Sequence, residues 1–292
     1  MHKRIALAAC LTIAFALNLT SLPLAYAANE SAGKIAQAIK TAETSLQARV
    51  GVAVYDTATD KGWYHNADER FPMASTFKTL ACAALLARGP DLLQQKLEIS
   101  DKDIQSYAPV TKTLVGQSVS ASDLCAITLR TSDNTAANKV LELIGGPSAL
   151  TAYLRGIGDT STRLDRTEPD LNESKPGDLR DTTTPRAMMD TMNKLVLGSA
   201  LDDKARQQLT NWLTANDVGG PLLRAGIPAS WRIADRTGAG GFGTRGVVAV
   251  IWPPERKPVI AAIYLTETKA SMDDRNKAIA DIGKALAKQL SP

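Results

Sequence analysis

Ser75-Thr76-Phe77-Lys78 sets a hydroxyl and an amine three residues apart. Phe71-Pro72 precedes the four residues, an apolar run from Leu80 to Leu86 follows, and Arg88-Gly89-Pro90 closes it, so they fall at the start of a helix. Positions three apart share a helical face, which predicts Lys78 beside the Ser75 hydroxyl. A serine hydroxyl is a poor nucleophile until a base removes its proton, and a desolvated lysine can serve because burial disfavours its charge. The chemistry on offer is covalent catalysis through serine. Ser31-Ala32-Gly33-Lys34 has the same spacing without an apolar run behind it and reads as a chance match, so the motif alone carries little.

Three further stretches supply what such a serine needs. Ser132-Asp133-Asn134 lies at a helix–loop junction, and Arg236-Thr237-Gly238 opens a strand. Glu168-Pro169-Asp170-Leu171-Asn172 sits in a segment rich in charge, proline and glycine with no helical period, which reads as a packed Ω-loop over about 163–181. The first three motifs, in this chain order, look like the signature elements of penicillin-recognising serine enzymes. The fourth resembles the Glu-x-x-Leu-Asn stretch of class A serine β-lactamases, and its flanks agree: Arg163-Leu164-Asp165-Arg166 before it and Asp178-Leu179-Arg180-Asp181-Thr182 after it. The likeness extends over nearly the whole chain after its first 27 residues. It is nearest to the carbenicillin-hydrolysing group, because Arg236 stands where most class A enzymes carry lysine, and Thr237-Gly238-Ala239-Gly240-Gly241-Phe242-Gly243 follows it.

The resemblance implies roles. Ser75 would be acylated, with the backbone N–H groups of Ser75 and Ala239 as the oxyanion hole. Lys78 and Glu168 are both candidate bases for acylation. Glu168 and Asn172 would hold the hydrolytic water, and Ser132 would pass a proton to the lactam nitrogen. Asn134 would bond the substrate's side-chain amide, and Tyr107 would wall the cleft. Arg236, Thr237, Gly238, Ala239 and Arg245 would line the substrate site, with the arginines and Thr237 on its carboxylate. Arg166 and Asp181 would close the neck of the Ω-loop as an ion pair. No metal and no organic cofactor is called for, and the partners expected are small β-lactams acting on a monomer.

The elements that must position these residues are legible at both ends of the chain. Ile35, Ile39, Ala42 and Leu46 recur at helical spacing, and Val50 to Tyr55 is a β-rich run turning at Asp60-Lys61-Gly62 into a second strand at Trp63-Tyr64. Val247–Trp252 and Val259–Leu265 are strand runs bracketed by prolines, and Ile279, Ile282, Leu286 and Leu290 mark a last helix. The middle is mostly helical. The expected fold is a two-lobed α/β protein with the site in the cleft between lobes. One lobe is an antiparallel sheet flanked by terminal helices, from residues 28–66 and 214–292, and the other is all-α, from residues 67–213.

Composition narrows the setting. Residues 1–27 combine His2, Lys3 and Arg4, an apolar run, and Ala25-Tyr26-Ala27, which reads as a secretory signal peptide rather than a membrane anchor and places the product in the periplasm. Leu7-Ala8-Ala9-Cys10 resembles a lipoprotein box but leaves too short an apolar stretch before it. Lys3 and Arg4 would leave with the leader and no acid would, so the +4 of the full chain falls by two and gives no electrostatic case for nucleic acid. Cys82 and Cys125 then remain, an even pair in an exported chain, which favours one disulfide. His65 would be the only remaining histidine, too few for the usual catalytic zinc sites, and no signature surrounds it. Two other uses of the same serine machinery are a D,D-peptidase, which would normally lack the Glu168–Asn172 stretch, and a β-lactam sensor, which would need a membrane span or fused domain.

Overall fold

The computed structural model describes residues 22–291, with side chains from residue 33 onward. Residues 1–21, with most of the expected leader and the Cys10 box, lie outside the described residues. The first helix, α1 (Leu22–Leu46), begins upstream of the expected cleavage point after Ala27.

Five antiparallel strands form the main sheet: β1 (Arg49–Asp56), β2 (Lys61–His65), β3 (Arg232–Ala239), β4 (Arg245–Trp252) and β5 (Val259–Thr266), in the order β2-β1-β5-β4-β3. The two ends of the chain thus meet at the β1–β5 pairing, where Val52 faces Ile263 and Val54 faces Ala261. The apolar runs of β1, β4 and β5 are continuous because both sheet faces are covered. Alternate residues divide between the faces. Val52, Val54, Val247, Ala249, Ile251, Val259 and Ile263 pack with Ile35, Ile39 and Ala42 of α1 and with Ile279, Ile282 and Leu286 of the last helix. Ala53, Ala234, Val248, Val250, Ile260, Ala262 and Tyr264 belong to the core of the helical lobe. The sheet is therefore a wall shared by two cores. The Arg236 motif lies in the second half of β3 rather than opening it, because the strand starts at Arg232, where the pairing Arg232↔Trp252 begins.

The helical lobe is built around α2 (Phe77–Leu86), all ten residues of which are buried. Around it stand α3 (Ala121–Thr131), α4 (Asn134–Ile144), α5 (Gly146–Gly156), α6 (Pro185–Val196) and α7 (Asp203–Thr214), and α6 lies across the sheet. The chain returns to the sheet lobe and closes with α8 (Met272–Leu290), packed on α1. Side-chain caps start α3 (Ser120), α4 (Asp133), α6 (Thr184), α7 (Asp202) and α8 (Ser271), each accepting a backbone N–H that the helix leaves unpaired.

Cys82 of α2 and Cys125 of α3 form a disulfide with Cα atoms 5.7 Å apart, which ties the helix after the nucleophile to the helix that ends at Ser132. Closing a loop of 43 residues restricts the unfolded chain by up to about 4 kcal/mol. Replacing both cysteines by alanine is therefore expected to lower the unfolding temperature. Thermal denaturation of the oxidised parent against the double variant checks this, and equal midpoints would remove the disulfide from the stability of the lobe.

Candidate active site

Ser75 sits in a short 3₁₀ turn, Ala74–Thr76, that leads into α2. Ala74 takes a positive φ of 41°, a conformation costly for a residue with a Cβ, so the turn before the nucleophile is held by its surroundings. One restraint is visible: Met73 donates its N–H to the Asp181 carbonyl at 3.0 Å, which ties the nucleophile turn to the end of the Ω-loop. Another is β3, which passes so close that a Cβ on Gly238 would lie 2.7 Å from the Met73 carbonyl and 3.1 Å from the Ser75 nitrogen. The glycine of the third motif is what lets this strand approach the nucleophile's backbone.

Lys78 is fully buried one turn further on. Its ammonium has three protons. Its neighbours are the Asn134 Oδ1 at 2.6 Å, the Ser132 carbonyl at 2.9 Å and Glu168 Oε1 at 2.9 Å, with Ser132 Oγ at 3.3 Å. The contact with Glu168 is ionic but off the direction of a good hydrogen bond, since Oε1 has no aligned donor. The ammonium thus donates to groups from other segments rather than in a direct hydrogen bond to Ser75. Ser132 Oγ instead donates to Ser75 Oγ at 3.1 Å and completes the path from lysine to nucleophile.

Ser132 follows the last turn of α3 in the left-handed region, with φ of 67°. Asp133 turns the chain into α4. It is fully buried, and its carboxylate accepts from the backbone N–H groups of Val110, Thr111 and Ala136 and from the Thr111 hydroxyl at 2.7–3.0 Å. This anchors the segment that carries Tyr107, whose carbonyl accepts from the Asn134 N–H at 2.9 Å. The middle residue of the second motif therefore braces the cleft, and the outer two face it. Asn134 accepts from Lys78 through Oδ1, so its Nδ2 is the donor left for the cleft.

Glu168 is buried on the Ω-loop. Asn138 of α4 brackets its backbone, accepting from the Glu168 N–H and donating to the Glu168 carbonyl, both at 2.9 Å. Asn172 Nδ2 donates to Glu168 Oε2. Glu168 Oε1 and Asn172 Oδ1 have no protein hydrogen-bond donor and keep lone pairs available to a water. The loop neck is closed by Arg166 Nε on Asp181 Oδ2 at 2.6 Å, and Asp181 Oδ1 also accepts from the N–H groups of Asp165 and Arg166. Asp181 is 1% exposed, and removing its charge would leave Arg166 with only the half-exposed Glu173, 2.6 Å from its Nη1, as a partner. The loop's far side is held by Gly241, whose N–H donates to the Asn172 carbonyl at 2.8 Å.

Arg236 is buried beneath the cleft wall. Its Nε donates to the Ser75 carbonyl at 3.3 Å, its Nη2 donates to Ser132 Oγ, and its Nη1 has no protein partner. Arg245 lies across from it on β4, held by Asn276 of α8 through Nε at 2.8 Å and by the Gly238 carbonyl at 3.1 Å. Burial pushes both guanidinium groups down to about 10, and Arg275 adds to the effect at Arg245. A cleft of about 310 Å³ opens over these groups, lined among others by Ser75, Tyr107, Ser132, Asn134, Asn172 and Arg245. Thr237, Gly238 and Ala239 line it too, while Lys78, Glu168 and Arg236 stand behind the lining. A larger groove of about 1010 Å³ along α1 and α8 shares no residue with it. Among the described residues no group of three or more His, Cys, Asp or Glu is placed to hold a metal ion.

Four positions were not singled out from the sequence. Asp133 carried a signal, being an acid just before a helix. Asn138, Asn276 and Val218, which lines the cleft with Thr237, carried none, since each is a single ordinary residue placed by the fold. The Ser31–Lys34 match lies in α1, away from the cleft.

A nucleophilic serine joined through a second serine to a buried lysine and glutamate can carry out acyl transfer. The profile of the β-lactamase enzyme family matches residues 34–290. The chain is 48% identical over 277 residues to Beta-lactamase PSE-4 of Pseudomonas aeruginosa, which covers 94% of this chain and 96% of that one. It is 49% identical over 263 residues to Beta-lactamase AER-1 of Aeromonas hydrophila, covering 89% and 86%. Among solved structures, an ancestral (GNCA) class A β-lactamase superposes with a TM-score of 0.84 at 49% identity, covering 86% of this chain and 98% of the other. The chromosome-encoded β-lactamase of Vibrio parahaemolyticus does so with 0.84 at 46% identity, covering 87% and 97%. The chain belongs to the β-lactamase enzyme family, in its class A, and is a hydrolase.

Burial lowers the Lys78 ammonium to about 8, against the charge of Glu168, which raises it, and with that of Arg236, which lowers it further. Below that pH the folded and unfolded chains both hold the proton, and the folded state bears the full cost of a buried cation. Above it the folded state sheds the proton while the unfolded lysine keeps it, so this group's destabilisation fades as pH rises. A Lys78 side-chain NMR titration is expected to show a midpoint near 8 in the parent and a lower one in Glu168→Gln. An unmoved or higher midpoint in the variant would disprove the coupling.

Proposed function

We propose that this chain hydrolyses the lactam amide of penicillins through an acyl-enzyme on Ser75, and that it thereby confers resistance to β-lactam antibiotics. The observation that carries the reading is the continuous contact from Lys78 through Ser132 to Ser75, with the buried carboxylate of Glu168 beside the lysine. Ser75 Oγ attacks the lactam carbonyl carbon, and its proton passes to Lys78 or Glu168. The developing oxyanion takes the backbone N–H groups of Ser75 and Ala239. The C–N bond breaks, the nitrogen takes a proton from Ser132, and the proton that left Ser75 is passed through Lys78 to restore the Ser132 hydroxyl. Two cations donate to the Ser132 oxygen, Lys78 and Arg236, which makes its proton easier to release. Glu168 then takes a proton from a water held with Asn172, the water oxygen bonds to the ester carbon, and as the bond from that carbon to Ser75 Oγ breaks the serine oxygen takes the proton back from Glu168. Thr237 and Arg245 at the cleft surface, with Arg236 behind them, bind the substrate carboxylate, while Asn134 and Tyr107 meet the side chain.

The same reading places the functional chain after residue 27, in the periplasm and as a monomer. Residues 28–66 and 214–292 make the sheet lobe and residues 67–213 the helical lobe. Among the described residues no helix is long and apolar enough to cross a membrane. Substrates include carboxypenicillins such as carbenicillin and some early cephalosporins. Strong carbapenem hydrolysis is not expected: with Ala74 before the nucleophile and Gly240 opposite, the extra disulfide of some carbapenem-hydrolysing relatives cannot form.

Glu168→Gln removes the base of the second half-reaction. Mixed with benzylpenicillin, this variant is expected to gain the mass of the intact penicillin as a stable adduct, absent when Ser75→Ala is added. Turnover should fall by at least about a hundredfold, the usual contribution of a positioned base. Fast turnover without an adduct would refute the roles given to the loop. A parent enzyme that acylates once and then stops would instead indicate a peptidase or a sensor.

Arg236 is the basis for the preference. Arginine offers a planar fork where lysine offers one point charge, and the two are not interchangeable at a site that accepts two parallel hydrogen bonds. Arg236→Lys is expected to lower kcat/KM for carbenicillin more than for benzylpenicillin. An unchanged ratio would leave Arg236 as a mark of the subgroup without a causal role in its preference.

A further inference from the structure

Outside the cleft, three arginines from three separate parts of the chain line one surface cavity of about 380 Å³: Arg70 before the nucleophile turn, Arg155 at the end of α5, and Arg163 at the entry to the Ω-loop. Asp165 is the only acid in its lining. Asp165 is already engaged, taking Arg163 through Nε at 2.9 Å and the Asp181 N–H at 3.0 Å. Arg70 and Arg155 have no carboxylate partner among the described residues. Each uses one terminal nitrogen on the protein. Arg70 Nη1 donates to the Ser161 carbonyl at 2.9 Å and to Thr182 Oγ1 at 3.0 Å, and Arg155 Nη1 donates to the carbonyls of Asp159 and Thr162. Both forks are thereby oriented by the turn at residues 159–162, and their Nε and Nη2 groups are left as free donors. The Ser148 hydroxyl, at the start of α5, lines the same cavity.

We propose that this cavity is a binding site for a phosphate group, separate from the β-lactam site. Fixed guanidinium forks in excess over carboxylates match the geometry and charge of a tetrahedral oxyanion, which can take parallel hydrogen bonds from two arginines at once. Arg163 is paired with Asp165, so the charge left for an anion is that of Arg70 and Arg155. Its chemistry is a phosphate dianion, either as the free ion or as the end of a phosphomonoester. The site touches the base of the Ω-loop: Arg163 N–H donates to the Thr182 carbonyl at 3.0 Å, and Arg70 holds the Thr182 hydroxyl. Phosphate bound there ties the loop's entry to its exit.

The test is titration of the purified chain with inorganic phosphate, and separately with glycerol 1-phosphate. Binding is read by ³¹P NMR line broadening and by thermal shift, each against sodium chloride at matched ionic strength. Saturable binding on the order of millimolar is expected, weakened about tenfold or more in Arg70→Gln and in Arg155→Gln, since each removes charge-assisted donors. Arg206→Gln, on α7, serves as the remote control and should bind as the parent does. Tighter binding of the ester assigns a phosphomonoester ligand, and tighter binding of the ion assigns free phosphate. Either arginine variant loosens the 159–162 turn, so the decisive reading is the NMR affinity of folded protein rather than its melting temperature. A phosphate effect equal to that of chloride, or equal in the parent and both variants, would overturn the site.

Discussion

The structure turns on one costly arrangement: an ammonium and a carboxylate, Lys78 and Glu168, 2.9 Å apart with both side chains fully buried. Two such ions lose their hydration, and their attraction repays this only if the remaining donors and acceptors are also matched. The surrounding residues do that matching. Asn134 and the Ser132 carbonyl take the lysine's protons, Asn172 donates to the carboxylate, and Asn138 fixes the glutamate's backbone from both sides. The lysine comes from a helix packed in the middle of one lobe, whereas the glutamate comes from a loop without regular packing of its own. The pair therefore depends on the neck at Arg166–Asp181 and on the grip of Gly241 upon Asn172. Loosening either would release the carboxylate toward water and leave the lysine with its burial cost uncompensated.

The same dependence explains why the sheet and the helical lobe share a wall. The nucleophile turn is gripped from β3, where Gly238 admits a close approach, and from the end of the Ω-loop, through Met73 and Asp181. A site whose groups come from α2, the α3–α4 junction, the Ω-loop and β3 needs all four to keep register with one another. The Cys82–Cys125 bridge constrains two of them, and the interleaved packing of Ala53, Ala234, Val248 and Tyr264 into the helical core constrains the strand that supplies Arg236.

What could be read from the sequence follows from how local each signal is. Ser75 with Lys78, Ser132 with Asn134, and Glu168 with Asn172 stand within a few residues of one another, so their spacing survives as a pattern. The terminal strands and helices were legible because long apolar periods mark them. Asn138 and Asn276 were not, because each is a lone polar residue in a helix and its partner lies 30 or 31 residues away in the chain. Helical spacing sets Lys78 one turn from Ser75, but the acceptors that take its ammonium come from other segments, which the helical period does not show. The start of β3 was placed too late because Arg232 and Asp235 interrupt its apolar pattern. Asp235 is buried through its pairing with Arg224, at 2.6 Å, which no local period reveals.

Charge balance in the cleft leads from structure to binding. Lys78, Arg236 and Arg245 gather at the nucleophile, and the acids that act on the first two are Glu168, shared with Lys78, Asp133, and Asp235, already engaged by Arg224. Burial, by stripping the cations of water, lowers the pKa of all three, so each bears a desolvation cost in the charged form. In the proposed reading a substrate carboxylate would meet the Arg236–Arg245 end, where the field of the two guanidinium groups favours an anion. That attraction acts alike on bound substrate and on transition state, so by itself it strengthens binding without speeding the chemistry. Catalysis has to come from the other end of the same cluster. There Arg236 and Lys78 both donate to the Ser132 oxygen, whose proton is needed only as the lactam nitrogen leaves. One guanidinium thus spans both tasks, and its reach to Ser132 is the part that a carboxylate-binding role alone would not require.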